Sequence, residues 1–185
     1  MGVGVKVAAL IGGPREDGNS ARLLEIAASA ARERGDDVDV MLLREMSIRP
    51  CTGCGGCRIG PTCVVGDHMH EVYTAIRMAD VLLVSTPVYF NTMSAWLKGT
   101  IDRTYALLRP DGTPRISPGK KLYVIVTQEQ TDTTHGRATA QLIEEAFAYL
   151  GVEAGGSLVA GGLVECDDHL SRPELLEAAR ELIHL

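Results

Sequence analysis

The sequence has no excess of positive charge. Lys and Arg together number 18 against 24 for Asp and Glu, so the 185-residue chain carries a formal net charge of −6. Proteins that bind polyanions usually present a broad basic surface that attracts phosphate groups. This composition offers no such surface, and the sequence therefore predicts no nucleic-acid partner.

Long hydrophobic runs are also absent. A short apolar stretch at residues 3–11 lacks a cationic leading region and runs directly into glycines, so it predicts a buried strand and not a signal peptide. The other apolar stretches are of strand length, which leaves no segment that could cross a membrane. The cysteine count of five is odd, and we expect a cytoplasmic protein, since disulfides are rare in that reducing compartment.

The sequence does contain a regular alternation of two patterns. Near-continuous aliphatic runs predict buried strands at residues 3–11, 38–43, 81–86, 122–127 and 156–164. Between and after them, amphipathic segments predict helices at residues 20–34, 67–79, 93–108, 135–150 and 171–185. Parallel neighbouring strands need crossover connections, so this order predicts an α/β fold with helices on both faces of a parallel sheet. We expect a single domain over residues 1–185, with one irregular insertion at about residues 46–66.

A glycine-rich turn follows the first predicted strand, in the string GGPREDGNS at residues 12–20. Such a turn exposes backbone N–H groups at the positive end of the following helix, where a phosphate can bind. The string lacks the Gly-Lys-Ser/Thr ending of a Walker loop and is not G-x-G-x-x-G. For the glycines alone, an ordinary turn before a helix start is the alternative.

A second motif follows the third predicted strand, in the segment STPVYFNTMSAWLKGTIDR at residues 85–103. This segment and the string GGPREDGNS resemble two motifs of the NADPH-dependent FMN reductases, a branch of the flavodoxin-like superfamily. The resemblance implies a doubly wound five-stranded parallel sheet of order 2-1-3-4-5. It also implies that FMN binds where the carboxyl ends of strands one and three meet, at the reversal of strand order.

The resemblance further implies which residues contact FMN. Arg15, Asn19 and Ser20 would bind the phosphate, while the backbone and rings of residues 87–91 would line the flavin ring. The predicted cofactor-binding residues are, in full, Gly13, Arg15, Asn19, Ser20, Thr86, Pro87, Val88, Tyr89, Phe90, Asn91 and Thr127. A flat apolar wall suits an uncharged planar ring, although the two aromatic residues could instead be ordinary core. No catalytic acid or base is predicted, because flavin chemistry can proceed on the cofactor alone.

The insertion holds a cluster of cysteines, in the string CTGCGGCRIGPTC at residues 51–63. Cys51, Cys54, Cys57 and Cys63 have the spacing C-x2-C-x2-C-x5-C, and the glycines between the first three allow tight turns that bring each sulfur inward. The spacing favours a 4Fe-4S cluster, and the motif also resembles the compact cysteine motif of the iron-sulfur flavoproteins. That resemblance implies FMN and a cluster in one protein.

Two alternatives to a cluster remain for these cysteines. Structural zinc more often uses two separated C-x2-C pairs, but His68 and His70 lie close enough in sequence to be rival zinc ligands. The thiols could also be free, redox-active or disulfide-paired. The fifth cysteine, Cys166, is predicted to be a small core or loop residue.

The sequence thus favours an FMN-dependent oxidoreductase, an iron-sulfur flavoprotein that moves electrons between a reduced donor and an acceptor. Donor and acceptor are each a small molecule or a protein, with NAD(P)H as a possible donor. The alternatives are an NAD(P)H-dependent FMN or quinone reductase without a cluster, and a non-enzymatic flavin electron carrier. Relatives are commonly dimers or tetramers, and we expect a homodimer or homotetramer here.

Overall fold

Strands and helices alternate along residues 4–184, the part of the chain that the computed structural model describes. Its strands are β1 (Lys6–Ile11), β2 (Asp37–Leu42), β3 (Val81–Pro87), β4 (Lys121–Thr127) and β5 (Glu153–Ala160). Its helices are α1 (Asn19–Glu33), α2 (Gly56–Ile59), α3 (Met69–Met78), α4 (Ala95–Arg103), α5 (Thr134–Ala148) and α6 (Pro173–Glu181). Within residues 4–184, no helix is both long enough and apolar enough to span a membrane.

The strands form one parallel sheet in the order β2-β1-β3-β4-β5. The inner strand β1 pairs with β2 and β3, so that Val7 lies between Val38 and Val81. The predicted fold class and strand order are thus confirmed. The order reverses between β1 and β3, and the crevice outside their carboxyl ends is where open α/β sheets bind ligands.

Two hydrophobic layers cover the sheet because successive side chains of a strand point to opposite faces. On one face, alternate residues such as Val7 and Ala9 pack against α1 and α6. On the other, Ala8 and Leu10 belong to the layer that includes α3, α4 and α5. The three inner strands are therefore buried on both sides, which explains their continuous aliphatic sequence.

The fifth strand begins and ends earlier than the sequence predicts, at Glu153–Ala160 instead of residues 156–164. Its first half contains Gly155, a residue type that weakens a strand pattern. In the structure a Cβ at Gly155 would lie 2.5 Å from the ring of Tyr123 on β4. The glycine is therefore required by close packing between the two strands, which the sequence alone does not reveal.

Three helices are shorter than predicted by more than one residue. The helix predicted over residues 93–108 is α4 followed by a tighter 3-10 turn, Thr104–Leu107. Ser171 ends another 3-10 turn, so α6 starts at Pro173, and α3 covers Met69–Met78 and not the whole of residues 67–79. The predicted beginning of strand one at Val3 and end of the last helix at Leu185 lie outside the described residues.

The cysteine-containing insertion lies between β2 and α3. It follows the carboxyl end of β2, which neighbours β1, and a 3-10 turn, Leu43–Glu45, and it contains the short helix α2. The insertion thus emerges at the same edge of the sheet as the turns that follow β1 and β3.

Candidate functional site

A cavity of about 580 Å³ lies outside the carboxyl ends of β1, β3 and β4. The residues that line it belong to the loop after β1, the turn after β3, residues 127–130 after β4, and Leu163 and Val164 after β5. Every predicted cofactor-binding residue lines this cavity except Thr86. A larger groove of about 860 Å³ lies between β2 and α3, but it contains none of these residues.

The loop after β1 leads directly into the first turn of α1. Gly18 precedes the helix in an extended conformation, and no side chain caps the helix start. Within residues 4–184, no hydrogen bond uses the backbone N–H groups of Asn19 or Ser20. Both residues line the cavity. The two free N–H donors therefore lie there together with the Ser20 hydroxyl and the positive end of the helix dipole, as an anion site requires.

The side chain of Asn19 is already engaged. Its Nδ2 donates to the carbonyl oxygen of Glu165 at 2.6 Å, and its Oδ1 accepts from the backbone N–H of His169 at 3.2 Å. The ring Nδ1 of His169 lies 2.8 Å from the same Oδ1. Only the backbone N–H of Asn19 thus remains for the predicted contact with a phosphate. Its side chain instead connects the segment after β5 to the loop after β1 by hydrogen bonds.

Arg15 is exposed at the mouth of the cavity. Its guanidinium is available to an anion from solvent, and one of its nitrogens lies 3.9 Å from the thiol sulfur of Cys166. Cys166 is half-buried in the loop after β5, as the sequence predicts for a small loop residue. Arg15 therefore supplies a positive charge at the end of the cavity next to the start of α1.

The turn after β3 forms the opposite wall. Tyr89 and Thr92 exchange backbone hydrogen bonds of 2.8 and 3.1 Å, and the two residues between them have positive φ angles, 46° for Phe90 and 66° for Asn91. The Phe90 ring is fully exposed and Tyr89 is 42% exposed. The alternative that these two aromatic residues are ordinary core is therefore wrong, and both are free to cover a flat ligand.

Thr86 supports the turn after β3 through hydrogen bonds of its side chain. Its buried hydroxyl accepts a hydrogen bond from the backbone N–H of Ser94 at 2.9 Å and donates to the carbonyl oxygen of Pro87 at 3.0 Å. Ser94 in turn caps α4 by accepting from the N–H of Leu97, and it donates to the carbonyl oxygen of Gly12. Thr86 is thus a support for the cavity and not a part of its surface.

Replacing Thr86 by valine is expected to lower the free energy of unfolding by about 1 to 3 kcal/mol, because the N–H of Ser94 is left buried without a partner. The change is also expected to weaken flavin binding, since the turn loses its support. Chemical denaturation and flavin titration measure the two effects. Thr100→Val is the matched control, because its buried hydroxyl donates to the carbonyl oxygen of Trp96 in its own helix. An equal effect at both positions would contradict this role.

A buried glutamine, Gln128, organises the loop after β4, and the motifs did not single it out. Its Oε1 accepts from the N–H of Gly136 at 2.7 Å, and its Nε2 donates to the carbonyl oxygens of Gln130 and Asp132 at 2.9 and 2.5 Å. Gly136 has no room for a Cβ, which would lie 2.7 Å from that Oε1. The polar residue directly after a buried strand is the only signal in the sequence for this role.

The four loop cysteines divide into two pairs. Cys51 and Cys54 are exposed, whereas Cys57 and Cys63 are half-buried and pack against the same hydrophobic layer as Val88 of the flavin-side turn. Gly53 and Gly55 have positive φ angles of 67° and 72°, so the tight turns predicted between the cysteines are present. Among residues 4–184, however, no three His, Cys, Asp or Glu side chains are close enough together to hold a metal ion.

The thiols of this loop have different environments. The backbone N–H of Gly56 and the side chain of Thr52 bond to the Cys54 thiolate and lower its pKa. Burial raises the pKa of Cys57, and the neighbouring Cys63 raises it further. Cys54 is therefore more easily deprotonated than Cys57 for metal or redox chemistry.

A buried ion pair lies beneath the loop. The Arg103 guanidinium makes a bidentate contact with the Asp67 carboxylate, at 2.9 and 3.1 Å, and both side chains are almost completely buried. Burial alone would raise the pKa of Asp67, but the hydrogen bonds from Arg103 and from two backbone N–H groups lower it to about 2. The pair is therefore charged throughout the physiological pH range.

Two buried polar atoms near the cysteines have no hydrogen-bond partner among the described residues, Arg103 Nε and Thr62 Oγ1. Thr62 directly precedes Cys63. The Tyr73 hydroxyl, which donates to the carbonyl oxygen of Arg103 at 2.8 Å, is also close enough to interact with the Cys63 thiol. Since buried polar groups are nearly always partnered, these two atoms could each bond to a group bound in the cysteine loop.

The two histidines that could rival the cysteines for zinc have other contacts. His68 Nδ1 accepts a hydrogen bond from the backbone N–H of Ser47 at 2.8 Å. The ring of His70 stands edge-on to Tyr73, with ring centres 5.8 Å apart. Neither ring belongs to a group of three potential metal ligands within residues 4–184.

The comparison with protein families agrees with the geometry of the cavity. The family model described as NADPH-dependent FMN reductase matches residues 5–162, which is most of the chain. The chain belongs to the NADPH-dependent FMN reductase family. The matched residues include both walls of the cavity and the whole cysteine loop.

Within this family, two groups of curated relatives match. The iron-sulfur flavoprotein of Methanosarcina thermophila is 33% identical over 120 residues, which is 65% of this chain and 63% of that protein's length. The chain spans 53% of a second iron-sulfur flavoprotein, from Methanocaldococcus jannaschii, at 33% identity. YwqN of Bacillus subtilis, named as an NAD(P)H-dependent FMN-containing oxidoreductase, is 29% identical over 97% of both chains.

Solved structures show the same fold. An NAD(P)H:quinone oxidoreductase from Methanothermobacter marburgensis superposes with a TM-score of 0.76 at 22% identity, over 99% of this chain and 98% of that one. A Trp repressor binding protein from Bacillus subtilis gives a TM-score of 0.71 at 26% identity, over 97% and 99%. The flavodoxin-like sheet of this FMN reductase family member is thus shared with both.

Proposed function

We propose that the protein is an FMN-dependent oxidoreductase that takes electrons from NAD(P)H, and that its cysteine loop holds a 4Fe-4S cluster. The observation that carries the first part is the cavity, which joins the phosphate loop to the turn after β3 at the reversal of strand order. Membership of the FMN reductase family supports the same cofactor.

The phosphate end of the cavity would hold the FMN phosphate through neutral donors. The N–H groups of Asn19 and Ser20 and the Ser20 hydroxyl face it, with Arg15 at the mouth. Gly13 keeps the space open, since a Cβ there would lie 3.1 Å from Ser20 Oγ. These residues bind the phosphate while the helix dipole stabilises its charge.

The ring end of the cavity has two walls. The exposed turn with Tyr89 and Phe90 would cover one side, and residues 127–130 after β4 would offer backbone groups at the polar edge. Bound FMN would supply the redox chemistry, accepting electrons from a reduced nicotinamide and passing them on. The chain's part is to orient the ring, leave one side open and exclude water from the other.

The chemistry of the donor set supports a cluster in the cysteine loop. Four thiols lie on thirteen consecutive residues, with left-handed glycines between the first three. The unpartnered Arg103 Nε beside this loop is a suitable donor to a cluster sulfur, which is a weak acceptor. A cluster held by Cys51, Cys54, Cys57 and Cys63 would supply single-electron transfer next to the flavin.

Replacing Cys54 by serine is expected to remove nearly all cluster iron while FMN stays bound, because the loop supplies no cavity residue. Iron, acid-labile sulfide and flavin contents, measured on the same anaerobic sample, test this expectation. Cys166→Ser is the matched control and is expected to keep its iron. Unchanged iron in Cys54→Ser, or loss of FMN together with the iron, would contradict this assignment.

The turnover of NAD(P)H tests the oxidoreductase activity. We expect the protein with FMN bound to oxidise NADPH or NADH with a quinone or another electron acceptor. The absence of NAD(P)H oxidation with every acceptor class would exclude this function.

The full-length similarity to YwqN favours a second candidate function, a reductase of this kind without a cluster. Full turnover of NAD(P)H by metal-free protein would identify it.

We also propose that the protein is a homodimer or homotetramer. The fully exposed Phe90 and the half-exposed Tyr89 next to the cavity support this assembly, because neighbouring exposed aromatic residues are typical of interfaces. Sedimentation equilibrium measures the mass directly. A monomer at micromolar concentration would contradict it.

A further inference from the structure

The last residue of α4 holds both ends of the cysteine loop. The contacts of the Arg103 guanidinium are with the Arg49 carbonyl oxygen at 2.7 Å, the Asp67 carboxylate at 2.9 and 3.1 Å, and the Val65 carbonyl oxygen at 3.4 Å. Position 49 precedes the first loop cysteine, while positions 65 and 67 follow the last one. A single planar group therefore closes the segment that contains all four cysteines.

The geometry of these contacts requires a guanidinium. Its two terminal nitrogens reach four acceptors that lie on both sides of the loop, which a planar fork can do and a single ammonium cannot. Arg103 is only 2% exposed, so its guanidinium is shielded from water. The arginine thus holds the two ends of the loop together and is not a surface charge.

The other end of α4 is attached to the flavin side of the molecule. Ser94, which caps the helix, bonds to Thr86 behind the aromatic turn and to Gly12 in the phosphate loop. A nine-residue helix is about 13 Å long. The helix α4 therefore connects Ser94, which contacts the cavity walls, with Arg103, which holds the cysteine loop.

We propose that Arg103 is a positioning residue that fixes the loop cysteines relative to the flavin cavity, acting through its contacts with residues 49, 65 and 67. The presence of a cluster on these thiols rests on the proposed function, whereas the role of Arg103 in holding the loop does not. The inference assigns no contact between Arg103 and substrate.

Thiol labelling tests directly whether Arg103 holds the cysteine loop closed. In reduced, metal-free protein with FMN added, Arg103→Met and Arg103→Lys are both expected to increase the labelling rates of Cys57 and Cys63 on the order of tenfold, because the half-buried thiols become exposed when the loop opens. Cys166 is the internal control and should keep its rate. Arg109→Met, which removes an exposed arginine whose guanidinium bonds to Thr113 and Pro114 far from the cysteine loop in sequence, is the matched control variant.

Three results would overturn the proposal. Unchanged rates at Cys57 and Cys63 in both variants would show that Arg103 does not hold the loop. Full rescue by Arg103→Lys would show that a positive charge is sufficient. Equal acceleration at Cys166 would show global unfolding and a general structural role.

Anaerobic reconstitution with iron and sulfide gives a second measurement. Arg103→Lys is expected to take up several-fold less iron per FMN than the wild type, since four correctly placed thiols are required for a cluster. Equal iron content in the two proteins would contradict the positioning role. If the wild type itself takes up no iron, the proposed cluster fails while the labelling result still decides the role of Arg103.

Discussion

Placing an aspartate at position 20 is expected to weaken FMN binding about a hundredfold or more while leaving riboflavin binding nearly unchanged. The added carboxylate would lie in the cavity where the FMN phosphate is proposed to bind, and two like charges at about 4 Å repel by roughly 4 kcal/mol at an effective dielectric of 20. Riboflavin has no phosphate and meets no such repulsion. Fluorescence titration with both flavins measures the difference.

The Ser20→Asp variant is expected to fold, because a carboxylate in the first turn of a helix interacts favourably with the helix dipole. Ser117→Asp is the control for added charge, since Ser117 is exposed and does not line the cavity. Equal weakening of FMN and riboflavin would place the phosphate elsewhere. Unchanged FMN affinity would do the same.

Replacing Asp67 by alanine is expected to lower the free energy of unfolding by about 3 to 5 kcal/mol, because Arg103 is left charged and buried without its partner. Chemical denaturation at neutral pH measures the loss. Glu33→Ala breaks an exposed ion pair with Arg180 and is expected to cost less than about 1 kcal/mol. A similar small effect at Asp67 would show that the buried pair contributes little.

The same pair predicts a pH dependence. The pKa of Asp67 is lowered to about 2 in the folded protein, so its contribution is fully present above the ordinary carboxyl pKa of about 3.9 and is lost as the pH falls through about 2. The stability difference between the wild type and Asp67→Asn should therefore shrink between about pH 4 and pH 2. A difference that is constant over this range would contradict the assignment.

The fold was predictable from the sequence because its signals are local. Continuous aliphatic runs mark the inner strands, and the phosphate-loop string and the Thr86–Asn91 segment lie directly after two of them. Since parallel strands end at the same edge, position after a strand was enough to bring these distant segments together. Residues of both segments line one cavity in the structure, although Thr86 itself does not.

The remaining parts of the site depend on long-range contacts that no local pattern encodes. Asn19 bonds to His169, which is 150 positions away, and Arg103 bonds to Asp67 across 36 positions. Gln128 and Gly136 are matched to each other by shape, and Gly155 is required only because Tyr123 lies against it. These roles follow from packing, so the sequence shows the residue types but not their partners.

The most direct measurement is the cofactor content of the anaerobically purified protein, with flavin, iron, acid-labile sulfide and zinc determined on one sample. We predict about one FMN per chain, with about four irons and four sulfides per FMN. Zinc, or FMN without iron, would contradict the cluster and leave a hydride-transferring reductase. Failure to bind FMN, even when it is added, would contradict the proposed flavin-dependent function.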